Sequence, residues 1–582
     1  MADPAPHHRQ RSIRDPILVG FALGVLYWLY GWHPFQIQLW HAVDDGLYAR
    51  HAEGFLEWLQ GRSSKWLGAF DCFLLAKAPL YGVWLAFLHI LGMPLRVGEF
   101  LLMVAGAVLF RRAVRPVREL RLWEFLVVLF LLLGNPFLPQ DFRLARFGLQ
   151  MALTNLCLVA TVGLTLHALC DTRHRLGWSV FTGLFFALAY LNREDSVWLL
   201  LPLVVSFLLQ WLASLIRCRR SQATWRTRIP AELQVACCFA AGALIPILSV
   251  CGLNKAHYGA FTTTFRRDAA LTALYHRLTS LEPAGHLAYV PIARPTRLKA
   301  YALSPTFAKM KPFLEGNEGY WHAGNEHSVI NGHARSEQEF FVSYFEFALL
   351  WAAEKMGAKH ANAMEDIYRA IDRELAEAVR TKRIVAGTHG PGLLAAPIPG
   401  DTRRILSALW TSFSSLLAVT GGADTVPDDL QGPGSMVDRA AHLTHSYAAL
   451  LPKPNIEYSI RAPGLRASRS LQRLVYPLLF LSIPALLIWR RKDVITTDLG
   501  IPTLFLWSMA IPVAALLSFC MAMAMVEVLG FKFLAGVAYN ALGYSPLTVL
   551  CAFAFTSLVV FSSHARKSTP ERKSMTSSAG TQ

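Results

Sequence analysis

Long apolar runs separated by short basic patches set the pattern of this chain. Runs near the ~20 residues a helix needs to cross hydrocarbon occur at about 16–34, 96–110, 122–139, 149–170, 177–191, 197–216, 233–253, 471–489, 500–526 and 541–562, some of them interrupted. The pattern predicts an α-helical polytopic membrane protein of about ten transmembrane helices, with both termini on the same side. Arg and Lys test that count, because they favour the cytoplasmic side of a membrane. Basic patches around Arg11, Arg112, Arg175, Arg219, Arg491 and Lys567 occupy alternate connections. All six then fall on one face, read as cytoplasmic. The apolar stretch 79–92 is short and contains Pro79, so an interfacial or re-entrant segment fits it better than a span and keeps the basic patches together.

The opposite face receives a polar region from Asn254 to Arg469, too long for a bare loop and therefore expected to fold as a domain. Within it, FFVSYFEFALLWAA is uncharged except for Glu346 and too short to span, which predicts a buried or interfacial helix. Met364, Ile367, Ile371, Leu375 and Val379 recur at helical spacing, with Glu365 and Arg369 four apart on the outside, predicting an amphipathic helix. GTHGPG and TGGADTVPDDLQGPGS read as loops. The expected organisation is a seven-span N-terminal module over 1–253 with its first outer loop at 35–95, an α-rich or mixed extracytoplasmic domain over 254–469, a three-span module over 470–565, and a basic cytoplasmic tail over 566–582.

Composition agrees with the hydropathy pattern. Of 582 residues, 54% are hydrophobic and 16% charged, with a mean hydropathy of +0.35, a balance that belongs to multi-span membrane proteins. The net charge of +17 would suggest nucleic acid in a soluble protein. Here the excess lies in patches between apolar runs, which excludes nucleic acid as the expected partner and leaves membrane lipid. The nine cysteines form no CxxC metal pair or disulfide framework. The polar, basic start followed by a long apolar run ending in Tyr and Trp reads as an uncleaved signal-anchor span.

Candidate chemistry collects on the outer face. Asp44 and Asp45 follow the first apolar run and open a segment with Tyr48, Ala52, Phe55, Leu56 and Leu59 at helical spacing, which would lie along the interface. Acidic residues there can simply solvate a loop, but a carboxylate fixed at the membrane surface can also accept a proton from a hydroxyl as a general base. Adjacent carboxylates do not share one face in regular structure, so at most one of the pair is the working group.

The run Asp44-Asp45-x-x-Tyr48, followed by Gly61, Trp66-Leu67 and Lys77-Ala-Pro79-Leu80-Tyr81, resembles the first outer loop of GT-C membrane glycosyltransferases of the lipid A aminoarabinose transferase and protein O-mannosyltransferase type. In that family an Asp-Glu pair, a Tyr and a Lys-Pro-Pro-Leu run occur in this order, and the match covers about residues 16–200. The resemblance implies a GT-C-like fold, a polyprenyl-phosphate-sugar donor, Asp44 as the catalytic carboxylate and Lys77 as a donor-phosphate contact. Asp45 stands where the family has Glu, and Ala78 where it has the first Pro.

Transfer from such a donor creates a phosphate leaving group at the membrane surface, and so calls for cations there. Lys77, Arg143, Arg146 and Arg193 are the donor-phosphate candidates. Arg143 and Arg146 can equally be snorkelling side chains. Arg193, Glu194 and Asp195 interrupt apolar sequence, where charges are either paired structurally or functional. Arg266 follows the seventh span and joins Tyr48, Glu194 and Asp195 as a further site candidate. His322, His327 and His333 near Glu318 and Glu326 match no tight ligand pattern; no cofactor is implied, and a divalent metal is left open. Tyr320 and Trp321 suit stacking on a sugar as well as core packing.

The leading expectation is therefore a glycosyltransferase of the bacterial inner membrane. It would move a sugar from a polyprenyl-phosphate donor to a hydroxyl acceptor, a protein or a cell-envelope glycan or lipid, on the outer face. A transporter or flippase of lipid-linked sugars is the alternative from another class, disfavoured because the charges sit at one face and no paired halves are visible. A polysaccharide polymerase or ligase would share the chemistry with a diphosphate-linked donor.

Overall fold

The computed structural model describes residues 14–31, 42–135, 146–170, 172, 174–221, 229–281, 287, 289–316, 339–340, 342–387, 393–394, 397, 400–419, 439, 441–445, 456–489, 506–529 and 540–567. Among them the regular structure is helical, and every apolar run is a helix. In chain order these are α1 (Arg14–Leu26, extended by a π turn over Tyr27–Gly31), α2 (Ala42–Leu59), α3 (Leu80–Ile90), α4 (Leu95–Ala113), α5 (Leu122–Leu133), α6 (Phe147–Leu169), α7 (Arg175–Asn192), α8 (Leu200–Ser221) and α9 (Ile229–Tyr258). Six segments are long and apolar enough to cross a membrane: Phe147–Leu169, Glu194–Arg219, Ile229–Tyr258, Ile460–Ile488, Leu506–Leu529 and Leu542–Ser562. The expected ten is thus met by six, or by seven if α3 and α4 count as one broken span. That pair bends by 107°, at a turn where Gly92 takes a left-handed φ of 62°. Asp15–Gly31 and Leu122–Leu133 are apolar but shorter.

The central helix is α6. Its spanning window is wholly buried, and it is surrounded by α4, α7, α8 and the last helix, Asn540–Lys567. A helix with no lipid-facing side can carry polar groups if they are satisfied, and its hydroxyls are. Thr161 donates to the Cys157 carbonyl at 2.7 Å, and Thr165 meets Ser206 of α8 at 2.6 Å. Around it, α7 and α9 approach through two glycines. A Cβ on Gly183 would stand 2.2 Å from the Phe239 carbonyl oxygen, and one on Gly242 2.4 Å from that of Val180. The outer faces of the bundle carry exposed Leu101, Val204, Leu208, Trp211, Ile245, Leu474 and Leu481, a surface suited to lipid rather than water.

A second core lies beyond the end of α9. It joins α10 (Ala269–Ser280), α11 (Arg294–Leu303), α12 (Pro305–Leu314), α13 (Val342–Lys355) and α14 (Ala361–Arg380) around Phe265, Tyr275, Phe307, Phe345, Tyr368 and Ile371. The expected buried helix around Glu346 is α13, and the expected amphipathic helix is α14, which buries Met364, Ile371 and Leu375 and pairs Glu365 with Arg369 at 2.5 Å on its flank. Trp66, Leu67, Cys72 and Leu74–Ala76 of the first loop belong to this core as well. The loop is tied to α9: Trp66 Nε1 donates to Asn254 Oδ1 at 3.1 Å, and Tyr258 Oη accepts from the Leu67 amide at 2.9 Å. Further on, α15 (Asp401–Leu417) packs back on the membrane helices, with Leu416 and Val419 in the first core. GTHGPG and TGGADTVPDDLQGPGS fall largely outside the described residues.

Candidate active site

Five sequence-distant elements bring buried charges to one place. Lys77 comes from the first loop, whose path is fixed on both sides. The Phe265 amide donates to the Leu75 carbonyl at 2.7 Å, and His51 Nε2 lies 2.7 Å from the Leu74 carbonyl. Facing a carbonyl, that nitrogen carries the ring proton. Arg146 is the N-cap residue of α6. Glu194 opens a 3₁₀ turn, Glu194–Leu199, between α7 and α8, and Arg266 lies in another, Phe265–Arg267, between α9 and α10. Glu346 projects from α13.

Their contacts form a chain. Arg146 Nη1 donates to Glu194 Oε2 at 3.1 Å and to the Asn192 carbonyl at 2.9 Å. Arg266 Nη1 donates to Glu194 Oε1 at 3.2 Å, while its Nε reaches Glu346 Oε1 at 3.0 Å. Lys77 Nζ and the Arg266 guanidinium lie 5.6 Å and 5.7 Å from the ring centre of Phe347, so one aromatic ring serves two cations. The Arg146 guanidinium lies 5.9 Å from the ring centre of Tyr48 in α2. Arg267 donates to the Glu194 carbonyl. Lys77, Arg146, Glu194 and Glu346 are all buried.

Holding two buried cations and the half-buried Arg266 against two buried carboxylates makes the balance of charge sensitive to position. For Arg146 burial opposes the charge, and Tyr48 and Glu194 outweigh it, holding the guanidinium protonated above its ordinary value. For Glu346 burial wins: its carboxyl is pushed up from the ordinary carboxylate range, although Arg266 and Lys77 pull it back. One carboxylate thus lies between two guanidiniums, while the other is the group in the cluster best placed to hold a proton. His51, three residues beyond Tyr48, is driven down to about 4 by burial and stays neutral.

Of the expected site residues, Tyr48, Lys77, Arg146, Glu194 and Arg266 meet here. Arg193 and Asp195 lie alongside but engage each other, Nε to Oδ1 at 3.0 Å and Nη2 to Oδ2 at 2.5 Å, with the guanidinium 5.2 Å from the ring centre of Phe147. Glu194 therefore pairs with Arg146 and Arg266 rather than with its sequence neighbour. Asp44 and Asp45 occupy the first turn of α2, and Asp44 precedes Tyr48 by one helical turn, placing both positions on one helix face; the two aspartate side chains lie outside the described residues. So do Arg143, Tyr320, Trp321, His322, His327 and His333. Glu346 was not singled out as a site residue by sequence, and Arg267 stood out only as part of the run Phe265-Arg266-Arg267-Asp268. The one signal for Glu346 was its standing as the lone charge in a 14-residue apolar stretch. Among the described residues no three His, Cys, Asp or Glu side chains gather as a metal site.

No protein-family model matches the chain, and no curated protein matches it in sequence. Among solved structures, the chain is similar to one described as the crystal structure of ArnT from Cupriavidus metallidurans in the apo state. That similarity has 13% identity and a TM-score of 0.30, over 89% of this chain and 78% of the other.

Proposed function

We propose that the chain is a membrane glycosyltransferase of GT-C type that transfers a sugar from a polyprenyl-phosphate carrier to a hydroxyl acceptor on the outer face of the membrane. The observation that carries this reading is the convergence of Lys77, Arg146 and Arg266 beside Tyr48, where α6 and α8 begin and α9 has ended. A sugar phosphodiester carries one negative charge. As the bond from the anomeric carbon to the phosphate oxygen breaks, the electron pair stays on that oxygen and the leaving phosphate becomes a dianion. Cations held in a low-dielectric pocket stabilise that growing charge more than the ground state, which is what lowers a barrier.

In this reading Asp44 takes the acceptor's proton as the acceptor oxygen bonds to the anomeric carbon, with Asp45 as its neighbour. Arg143 and Arg193 are further phosphate contacts, and Asp195 holds Arg193. Glu194 and Glu346 keep the cations compensated before the donor arrives, since an unpaired buried charge is strongly destabilising. The 254–469 region supplies the acceptor surface, and both termini face the cytoplasm of a bacterial inner membrane. Purified protein supplied with monophosphate-linked sugar should transfer it, and Asp44→Asn should abolish transfer while carrier binding persists. Full activity of both Asp44→Asn and Asp45→Asn would sink the assignment. Turnover of only a diphosphate-linked oligosaccharide would move the protein to the polymerase class.

A further inference from the structure

At the far end of the bundle from the Lys77–Arg146 cluster, α4, α6 and α7 enclose a cavity of about 720 Å³. The distance along α6 from Arg146 to His167 is about 30 Å at the helical rise, so the cavity is a separate feature. Its polar lining is Arg112, Arg115, His167, His174 and Thr172, and its apolar walls include Trp178 and Phe181. Among the described residues no carboxylate lines it.

The basic side chains around the cavity divide into two kinds. Arg118 is paired with Glu124 at 2.7 Å, Arg175 approaches Glu232 at 3.7 Å, and Arg217 donates to the Ala168 carbonyl at 3.2 Å, capping α6. Arg112 and Arg115, which face the cavity, have no acidic partner among the described residues and are exposed. His167 is 7% exposed. Its Nδ1 meets the Thr172 hydroxyl at 2.7 Å and its ring stacks on Trp178 at 5.2 Å, while its Nε2 lies toward the Arg112 backbone carbonyl without forming a well-aligned hydrogen bond. Complementing the carbonyl end of α4 accounts for exposed arginines. It does not account for a roomy pocket lined by two exposed arginines and a buried imidazole whose second nitrogen has only a loose backbone contact. Beside these lining residues, Val108 of α4 and Val180 and Phe181 of α7 are exposed apolar side chains, so the pocket has a greasy flank beside its basic wall.

We propose that this cavity binds the headgroup phosphate of an anionic phospholipid of the surrounding membrane, with the acyl chains running down the apolar flank. Arg112 and Arg115 hold the phosphate, His167 Nε2 hydrogen-bonds a headgroup oxygen, and Trp178 and Phe181 line the glycerol and upper chain. Basic pockets between membrane helices recognise lipid phosphates by this combination of charge and shape. The proposal stands independently of the transferase reading, whose site lies at the other end of α6.

The test uses the delipidated full-length protein in an uncharged detergent, titrated with phosphatidylglycerol, with phosphatidylcholine of the same chains and with inorganic phosphate, and read by native mass spectrometry. Phosphatidylglycerol should be retained selectively. Arg112→Gln with Arg115→Gln should weaken its retention about 30-fold. These exposed residues have no ion-pair partner among the described residues, so folding should be unaffected, which the unfolding temperature checks. Arg62→Gln with Arg403→Gln, exposed arginines elsewhere, controls for net charge and should change nothing. Equal retention of phosphatidylcholine, unchanged retention in the Arg112/Arg115 variant, or an equal loss in the Arg62/Arg403 control would overturn the proposal. Displacement of the lipid by equimolar inorganic phosphate would replace the lipid with a soluble phosphate ligand and also overturn it.

Discussion

Glu194 and Glu346 come from elements far apart in the chain, yet one guanidinium joins them: Arg266 reaches Glu194 Oε1 through Nη1 at 3.2 Å and Glu346 Oε1 through Nε at 3.0 Å. The same arginine thereby ties the turn after α7, which leads into the membrane bundle, to α13 in the second core. Arg266→Met leaves Glu346 buried without its guanidinium, and breaking a buried pair from one side costs about 3–5 kcal/mol. Adding Glu346→Gln removes the stranded charge and should recover a substantial part of that loss. Chemical denaturation in detergent, followed as a double-mutant cycle, checks both; independent, additive effects would contradict the bridge.

The His51 ring should make the fold acid-sensitive. Its folded value is about 4 against 6.5 for the unfolded chain. Above 6.5 both states hold the ring neutral and nothing depends on pH. Between 6.5 and about 4 the unfolded chain takes up a proton that the native chain refuses, so stability falls with falling pH, by about 3 kcal/mol in total. Below the folded value the loss is complete. His51→Gln should flatten unfolding temperature against pH within that window alone. A slope identical in the variant would assign the acid sensitivity to other groups.

How much of this was legible in sequence follows from what hydropathy can see. A bilayer marks its helices by length and apolarity, so the described part of each run is mostly helical, six of them long and apolar enough to span, and 79–92 is the shorter arm of a bent pair. Glu194 stood out because charge beside hydrocarbon is costly wherever it occurs, Lys77 through the motif that resembles the GT-C loop, and Arg146 and Arg266 as cations near the outer ends of apolar runs. What brings them together did not stand out, because pairing Glu194 with Arg146 and Arg266 rather than Arg193 is a tertiary fact. Glu346 was hidden for a different reason: it lies inside a stretch whose apolarity announces a buried helix, and its partner is 80 residues away. Arg96 and Glu99, buried and 2.8 Å apart at the start of α4, were masked in the same way by the run they open.

Gly183 and Gly242 should tolerate no larger residue. Either Cβ would meet a carbonyl oxygen of the facing helix at 2.2 Å or 2.4 Å, and backbone cannot rotate away as a side chain can. Gly242→Ala forces α7 and α9 apart and should destabilise by about 1–3 kcal/mol, as overpacking commonly does. Gly252 in the same helix has open space around its Cβ position, so Gly252→Ala is the matched control and should be neutral or slightly stabilising. Equal losses at both positions would indicate a helix-wide effect instead of this contact.

Arg297 is fully buried between Glu315 at 2.9 Å and Glu339 at 3.1 Å. It also donates to the Ile292 carbonyl at 3.0 Å. This cluster anchors α11 and α12 within the second core. Arg297→Ala should therefore loosen the second core, seen as faster amide exchange in α11 and α12, with α6 and α7 unchanged. Exchange that accelerates uniformly through the bundle would show that the two cores unfold as one.

Glu194 offers the sharpest separation between a structural and a functional account of the charge cluster. As a purely structural group it holds Arg146 and Arg266, and Glu194→Gln should lower stability and weaken every ligand that depends on the fold. As a stand-in for the donor phosphate it competes with that phosphate for the same guanidiniums. Two unit charges about 4 Å apart interact by about 4 kcal/mol at an effective dielectric near 20. Neutralising the competitor should then free cationic field for the ligand, even after relaxation removes much of that figure. The expected result is opposite signs in one variant: a lower unfolding temperature together with at least about tenfold tighter binding of a prenyl monophosphate. Binding of the corresponding prenol, which has no charge, should not tighten. If prenyl phosphate affinity falls in step with stability, Glu194 is a brace of the fold, and Arg146 and Arg266 belong to it rather than to the donor.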